Sequence, residues 1–279
     1  MTMIRTPRTL ALAVLTSMGL AAAAAAQDCE TTIDASLLTE EGKLTMAVSP
    51  TLPPMAYAES DGTLKGLRVE LGVEVAKRLC LEPDFISTEY ATMVPGLQGG
   101  RWDVIDAGLF VTPARLEIMY MIPYENLAIS ISTATGDDSI KTVEDLAGKR
   151  VSTDIGGYAE AKMRELNKDF AEKGLEQIDI ALFDNYATVY QALRAGQVEA
   201  AVSIDPVAKL YSESGEFAHA LAGLYATPGS LAFGSTDIAA PVTKVMQEMN
   251  ADGWLPELMA RYGVGQAGDG SIELKGPGL

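Results

Sequence analysis

The chain is 279 residues long and carries 21 Lys and Arg against 38 Asp and Glu, a formal charge of −17. Such acidity argues against nucleic acid and anionic lipid surfaces as partners, but says little about a small ligand whose pocket sets its own charge. One histidine, His219, and two cysteines leave no material for multi-histidine metal sites or for Ser-His-Asp and Cys-His catalysis.

The N-terminus reads as a leader. Arg5 and Arg8 precede an apolar run from Leu10 to Leu20 and six alanines, Ala21 to Ala26, before the polar pair Gln27-Asp28. A basic n-region, an apolar h-region and an Ala-x-Ala site predict a secretory signal peptide over 1–26, cut before Gln27. The run is short for a membrane span. Cleavage removes two arginines and no acids, so the exported chain carries −19. Its two cysteines, Cys29 and Cys80, form an even pair in an oxidising compartment and are expected to be bridged. Closing that loop contributes about 4 kcal/mol in the chain-entropy account.

Leu44 to Val48 reads as a strand ended by Ser49-Pro50 and Pro53-Pro54, and Leu67, Leu71, Val75 and Leu79 mark a helix. Pro83 to Ile86 predicts a strand, Thr92 to Gln98 a helix and Asp103 to Ala107 a strand. Thr112-Pro113 then supplies a capping hydroxyl and a first-turn proline. Leu127 to Ser132 is extended and leads through Thr135-Gly136-Asp137-Asp138 into a second half. There Thr142-x-x-Asp145 caps a short helix, Val151 to Thr153 is a strand, and Met163, Leu166 and Phe170 line a helix face. A strand over Ile178–Leu182, a helix over Tyr186–Ala195 and a strand over Glu199–Ser203 follow. Ser230 to Gly234 reads as a return crossover, and Val242, Val245, Met246 and Met249 mark a helix packing back on the first half. The glycine-rich tail after Tyr262 is expected to be mobile, and His219 to lie solvated in a loop. Gly263-Val-Gly265-Gln-Ala-Gly268 matches the dinucleotide fingerprint by letter but follows a helix and opens no βαβ unit, so it carries no such meaning.

One pattern is written twice. Leu97-Gln-Gly-Gly100-Arg-Trp-Asp103 and Leu193-Arg-Ala-Gly196-Gln-Val-Glu199 share a leucine, a glycine and an acid at a constant offset, each leading from a helix into an apolar strand. Gly42-Lys43 and Gly148-Lys149 echo one another near the front of each half. Two similar α/β lobes in series imply open, mostly parallel sheets and a ligand cleft between them. Arg115 and Asp205 follow matching strands of the two lobes. A guanidinium suits a carboxylate and a carboxylate suits an ammonium, so the pair fits a zwitterion. An interlobe salt bridge for Arg115 and a helix cap for Asp205 remain the alternatives.

These stretches resemble the extracellular solute-binding proteins, family 3, of polar amino acid ABC transporters. Gly42 to Val48 with Pro53-Pro54 is similar to that family's opening strand and "PPF" turn, and Asp61 to Leu67 to its "dGklvGfdvdl". Val94 to Leu97 with Gly100 to Asp103 resembles "lipaLqsGkfD", Val111 to Arg115 resembles "iTpeR", and Ser139 to Val151 resembles "siksleDLkGkkv". Val198-Glu-Ala-Ala with Asp205 resembles "vDAvi.D". The resemblance implies a two-lobed periplasmic-binding-protein-like α/β fold of type II with two crossover strands as hinge. It divides the chain into lobe 1 (27–126 and 229–279) and lobe 2 (127–228). It also implies capture of an amino acid or related zwitterion by hinge closure, delivery to an inner-membrane ABC permease, a periplasmic location, a monomer, and no cofactor or metal.

In the family the "iTpeR" arginine holds the ligand carboxylate and the acid after "DAvi" the ammonium, which map onto Arg115 and Asp205. The remaining implied contacts are Gly108, Phe110, Thr112, Gly157, Tyr158, Tyr90 and Leu52. Several depart from the pattern: Phe110 stands for a small hydroxyl residue, Gly157-Tyr158 for a threonine pair, Leu52 and Met55 for aromatics, and Leu67-Arg68 for Phe-Asp. The alternative is a cyclohexadienyl dehydratase of the same fold, which needs a general acid to expel water.

Overall fold

A computed structural model describes Cys29 and residues 31–279. The expected leader lies outside these residues. Lobe 1 opens with β1 (Lys43–Val48), a small antiparallel sheet of β2 (Thr51–Leu52), β3 (Ala56–Ala58) and β4 (Leu64–Lys65), and α1 (Leu67–Arg78). It continues through β5 (Glu82–Ser87), α2 (Tyr90–Gln98), β6 (Val104–Phe110) and α3 (Pro113–Leu116) into the long β7 (Tyr120–Ala134). Lobe 2 contains β8 (Arg150–Asp154), α4 (Tyr158–Glu172), β9 (Asp179–Phe183), α5 (Tyr186–Arg194), β10 (Ala200–Ile204) and α6 (Asp205–Glu213). The return strand β11 (Phe217–Phe233) leads to α7 (Thr236–Ala251) and α8 (Trp254–Tyr262). Among the described residues no helix is long and apolar enough to cross a membrane.

The two expected sheets are joined as one. Its eight strands run in the order β5-β1-β6-β11-β7-β10-β8-β9, parallel at both ends and antiparallel where β7 and β11 pass between the lobes. The long partnership of β7 and β11, from Phe233↔Tyr120 to Phe217↔Ala134 with register shifts between, forms the hinge ribbon. Leu127, Ile129, Ile131 and Leu231 on these strands are buried and connect the cores of both lobes.

The twice-written pattern has a common physical basis. Gly100 and Gly196 adopt φ of +65° and +66°, a left-handed backbone that ends each helix and is cheap only for glycine. The acid that follows then accepts an amide from the first strand of its own lobe: Asp103 Oδ2 from Thr45 N at 2.8 Å, Glu199 Oε2 from Arg150 N at 3.0 Å. The motif thus ties helix end to neighbouring strand in both lobes. Likewise Thr142 and Asp145 form the expected capping box, and Thr112 Oγ1 accepts from Arg115 N at 3.3 Å.

Two expectations are corrected. The tail after Tyr262 is held down: Ile272 and Ala267 are buried, Gln266 and Lys275 bridge Glu125 and Met121, and Asn126 N donates to Gly265 O. Buried side chains and backbone partners override its glycine content. His219 lies within β11 and meets Ser130 Oγ of β7 at 2.6 Å, because β11 begins far earlier than its apolar end announces. Cys29 and Cys80 are disulfide-bonded, with Cα atoms 5.4 Å apart, and fasten the N-terminal segment to the end of α1.

Candidate functional site

The carboxyl ends of β6, β8 and β10 converge on a narrow cavity of about 20 Å³ between the lobes. Lobe 1 contributes Leu52, Tyr90, Gly108 and Phe110; lobe 2 contributes Asp154, Tyr158, Tyr186 and Ile204. The lobes meet around it. The Phe110 and Tyr158 rings stack with centroids 4.3 Å apart and 12° between planes, and the Tyr158 hydroxyl meets Thr227 Oγ1 at 3.1 Å. At Gly156 an added Cβ would stand 3.3 Å from the Ala91 backbone of the other lobe.

Of the residues expected at the ligand, Leu52, Tyr90, Gly108, Phe110 and Tyr158 line this cavity. Gly157 sits just behind, where a Cβ would approach Asp154 Oδ1 to 2.4 Å. Thr112 caps α3. Arg115 does not line the cavity; its Nη1 donates to Phe110 O at 2.8 Å, so it braces the strand end that carries Phe110. Burial raises the pKa of the Tyr90 phenol, with Arg115 nearby opposing that shift.

Asp205 is not brought to this cavity. It lines a wider pocket of about 700 Å³ with Lys209, His219, Gly223 and Tyr262, on the other side of Leu127. There Asp205 accepts from Ser130 Oγ and, at 3.3 Å, from Gly223 N. The cause is register. In the pattern "vDAvi.D" the acids are five positions apart, whereas Glu199 and Asp205 are six apart, so the pattern's second acid falls on Ile204. Successive residues at a strand end face opposite sides, and Ile204 takes the cavity while Asp205 takes the far face. The chain Asp205–Ser130–His219 is no catalytic triad, because serine stands in the middle, where the histidine would have to be.

Sequence reasoning missed two charged features. Asp154, at the end of β8, is buried in the cavity wall. Burial pushes its carboxyl up to about 6, although hydrogen bonds from Tyr186 and Thr153 pull the other way. The second lies at the cavity floor. Arg68, on the first turn of α1 and 1% exposed, pairs through Nη2 with Glu125 Oε1 of β7 at 3.1 Å, and Glu125 is 0% exposed. Asp106 and Tyr124 are buried beside them. Burial works against the Arg68 charge, but Glu125, Tyr124 and Asp106 more than offset it and raise its pKa. Burial pushes the Asp106 carboxyl up to about 8 against the pull of Arg68, which leaves it protonated at neutral pH. The departure from "Gfdvdl" at Arg68 was the sequence signal for this cluster; its partners lie 38 and 57 positions further on.

An interlobe cavity at the carboxyl ends of strands, closed over by a two-strand hinge, defines a small-solute binding protein. Residues 44–265 match the family model of the bacterial extracellular solute-binding proteins, family 3, and the chain belongs to that family. It is 28% identical over 235 residues to the L-cystine-binding protein TcyJ of Escherichia coli K12, covering 80% of this chain and 83% of that one. It is 27% identical to the histidine-binding periplasmic protein of the same strain, covering 78% and 86%. An ancestral arginine-binding protein bound to arginine superposes with a TM-score of 0.72 at 27% identity, covering 80% of this chain and 98% of its own.

Proposed function

We propose that this protein is the periplasmic substrate-binding component of an ABC importer and captures an amino acid or related zwitterion by closure of its lobes. The observation that carries this reading is the interlobe cavity itself, which is walled by both lobes, so a ligand touching both favours the closed arrangement. Its lining has opposite polarity on the two sides: a guanidinium, Arg68, in lobe 1 and carboxylates, Asp154 and Asp184, in lobe 2. That polarity suits a molecule with one anionic and one cationic end. The amino-acid relatives support the ligand class, and the disulfide and the leader-like N-terminus support export and delivery to an inner-membrane permease.

Calorimetry with L-arginine, L-glutamine, L-histidine, L-cystine, opines, ectoine and betaines tests the reading. Saturable heat from at least one of them is expected; none from any would overturn it. The dehydratase alternative has one cavity carboxyl suited to donate a proton near pH 6, Asp154. Phenylpyruvate formed from prephenate would decide in its favour.

A further inference from the structure

We infer that the cleft takes a zwitterion whose cationic end is a methylated ammonium. Phe110 of lobe 1 and Tyr158 of lobe 2 grip that end between their rings, and Tyr90 and Tyr186 complete an aromatic cage. The inference rests on the reading of the cavity as a zwitterion site and narrows the ligand's class.

The composition of the lining carries it first. Aromatic residues make up 6% of the chain but four of the fifteen residues that line the cavity, so rings are concentrated there. They come from both lobes: Tyr90 opens α2 and Phe110 ends β6, whereas Tyr158 opens α4 and Tyr186 opens α5. Leu52, Leu127 and Ile204 add aliphatic wall. The three phenol hydroxyls are already engaged: Tyr90 by Arg115, Tyr158 by Thr227 Oγ1 at 3.1 Å, and Tyr186 by Asp154. What the tyrosines retain for a ligand is ring surface. An ammonium with N–H groups needs an acceptor for each donor when it leaves water. A methylated ammonium presents C–H surface, and aromatic faces match both that surface and its charge.

The geometry of the Phe110–Tyr158 pair carries it second. The rings are nearly parallel, 12° apart, and stack at 4.3 Å across the lobe boundary. The space left in the cavity is about 20 Å³, room for about one water molecule and too little for a zwitterion. A ligand therefore enters only when the lobes part, and parting them bares the two stacked faces to one another. A methylated ammonium between those faces lies within about 6 Å of each ring centroid, the range of a cation–π contact. Ring on ring gives way to ring, cation and ring, a contact that neither lobe can make alone.

Charge carries it third. Asp154 and Asp184 line the same cavity from lobe 2 and bring negative potential to the cage, so the occupant between the rings is a cation. Lys162 stands 5.5 Å from the Tyr158 centroid, but it pairs with Glu165 at 2.6 Å and lies outside the lining, so its charge is compensated.

The test is calorimetry on the whole exported protein with ligands that differ only at nitrogen: glycine, sarcosine, dimethylglycine and glycine betaine, and L-proline against proline betaine. Affinity should rise with each methyl group, and the better betaine should bind about 100-fold more tightly than its parent amino acid. tert-Butylacetate has the shape of glycine betaine with carbon in place of the charged nitrogen. It should bind about tenfold more weakly than the betaine, because it keeps the apolar contact and loses the cation. Phe110→Leu and Tyr158→Leu keep apolar bulk and lose one ring face each. Each should weaken the betaine about tenfold, with circular dichroism melting to show that the variant folds. An unmethylated zwitterion, from this series or the panel above, that binds as tightly as the better betaine overturns the inference while the zwitterion reading stands. So does a carbon isostere that binds as well as the betaine, or affinity within about threefold of wild type in both folded leucine variants. Absence of heat from every zwitterion, methylated or not, overturns the reading and the inference together.

Discussion

Two spaces between the lobes, parted by Leu127, share the junction of β10 and α6 but receive different residues from it. Ile204 faces the inner cavity and Asp205 the outer pocket. The inner cavity is narrow and backed by ionisable groups almost wholly out of water: the Arg68–Glu125 ion pair and the neutral Asp106 carboxyl beside it, with Asp154 in the wall. The outer pocket is wide, and its charged groups, Lys209, Glu213 and half-buried Asp205, remain in reach of solvent. The same charge therefore acts differently in the two places. A buried guanidinium or carboxylate must be matched at close range, whereas a solvated one is screened and adds little. Charge type, position after matching strands and the family motifs pointed to Arg115 and Asp205; the buried ionisable groups that line the inner cavity are Arg68 and Asp154.

The sharpest break of this contrast is removal of one member of the buried pair. Glu125→Ala leaves Arg68 as an uncompensated charge in the floor, and stability should fall by about 3–5 kcal/mol. Urea unfolding of wild type and variant measures it. A loss below about 1 kcal/mol would mean the pair behaves as a surface pair, and the distinction between the two spaces would fail.

A smaller effect reports on the wall. A ligand ammonium needs Asp154 ionised, and its carboxyl titrates at about 6 in the folded protein, raised from 3.8 mainly by burial. Affinity for an amine-bearing zwitterion should be level above that value. It should weaken as pH falls through it, because protonation removes the counter-charge. Asp154→Asn should weaken binding about 10- to 100-fold at pH 7.5 and abolish the pH dependence near 6. The stability effect has the opposite sign. A carboxyl whose folded pKa is raised contributes fully below its unfolded value of 3.8 and loses that contribution as pH rises through about 6. Melting and binding followed over pH 4–8 therefore separate the two. Binding that is unchanged from pH 5 to 7.5 would remove Asp154 from the ligand's contacts.

What was legible in the sequence was what is locally encoded. The helix–glycine–acid–strand unit at 97–103 and 193–199 could be read because the left-handed glycine and the capping acid act within a few residues of the chain. Leu52, Tyr90, Gly108, Phe110 and Tyr158 came from the resemblance to the family, and they line the cavity. The Arg68–Glu125 pair could not be read, since it joins residues 57 positions apart and depends on how α1 packs against the hinge ribbon. The length of β11 was hidden because its first half, from Phe217, is only partly buried and lacks a continuous apolar run. The position of Asp205 was misplaced by a single step in register, which a strand converts into a change of face.

That step sets the smallest expected effect. Asp205→Asn keeps the shape of the side chain and the Oδ1 that accepts from both Gly223 N and Ser130 Oγ, and removes the charge that strengthens those bonds. Asp205 lies across Leu127 from the cavity and does not line it, so no ligand group there should sense the loss of its charge at close range. Long-range attraction through a solvated pocket is worth little at physiological salt. Affinity for the zwitterion should therefore stay within about threefold, under about 0.7 kcal/mol. Stability should change by about 1 kcal/mol, the scale of one polar contact in a partly solvated place. Calorimetry and melting on the one variant read both numbers. A loss of affinity of tenfold or more with the fold intact would bring Asp205 back to the ligand, make the outer pocket part of the binding site, and erase the division between the two spaces.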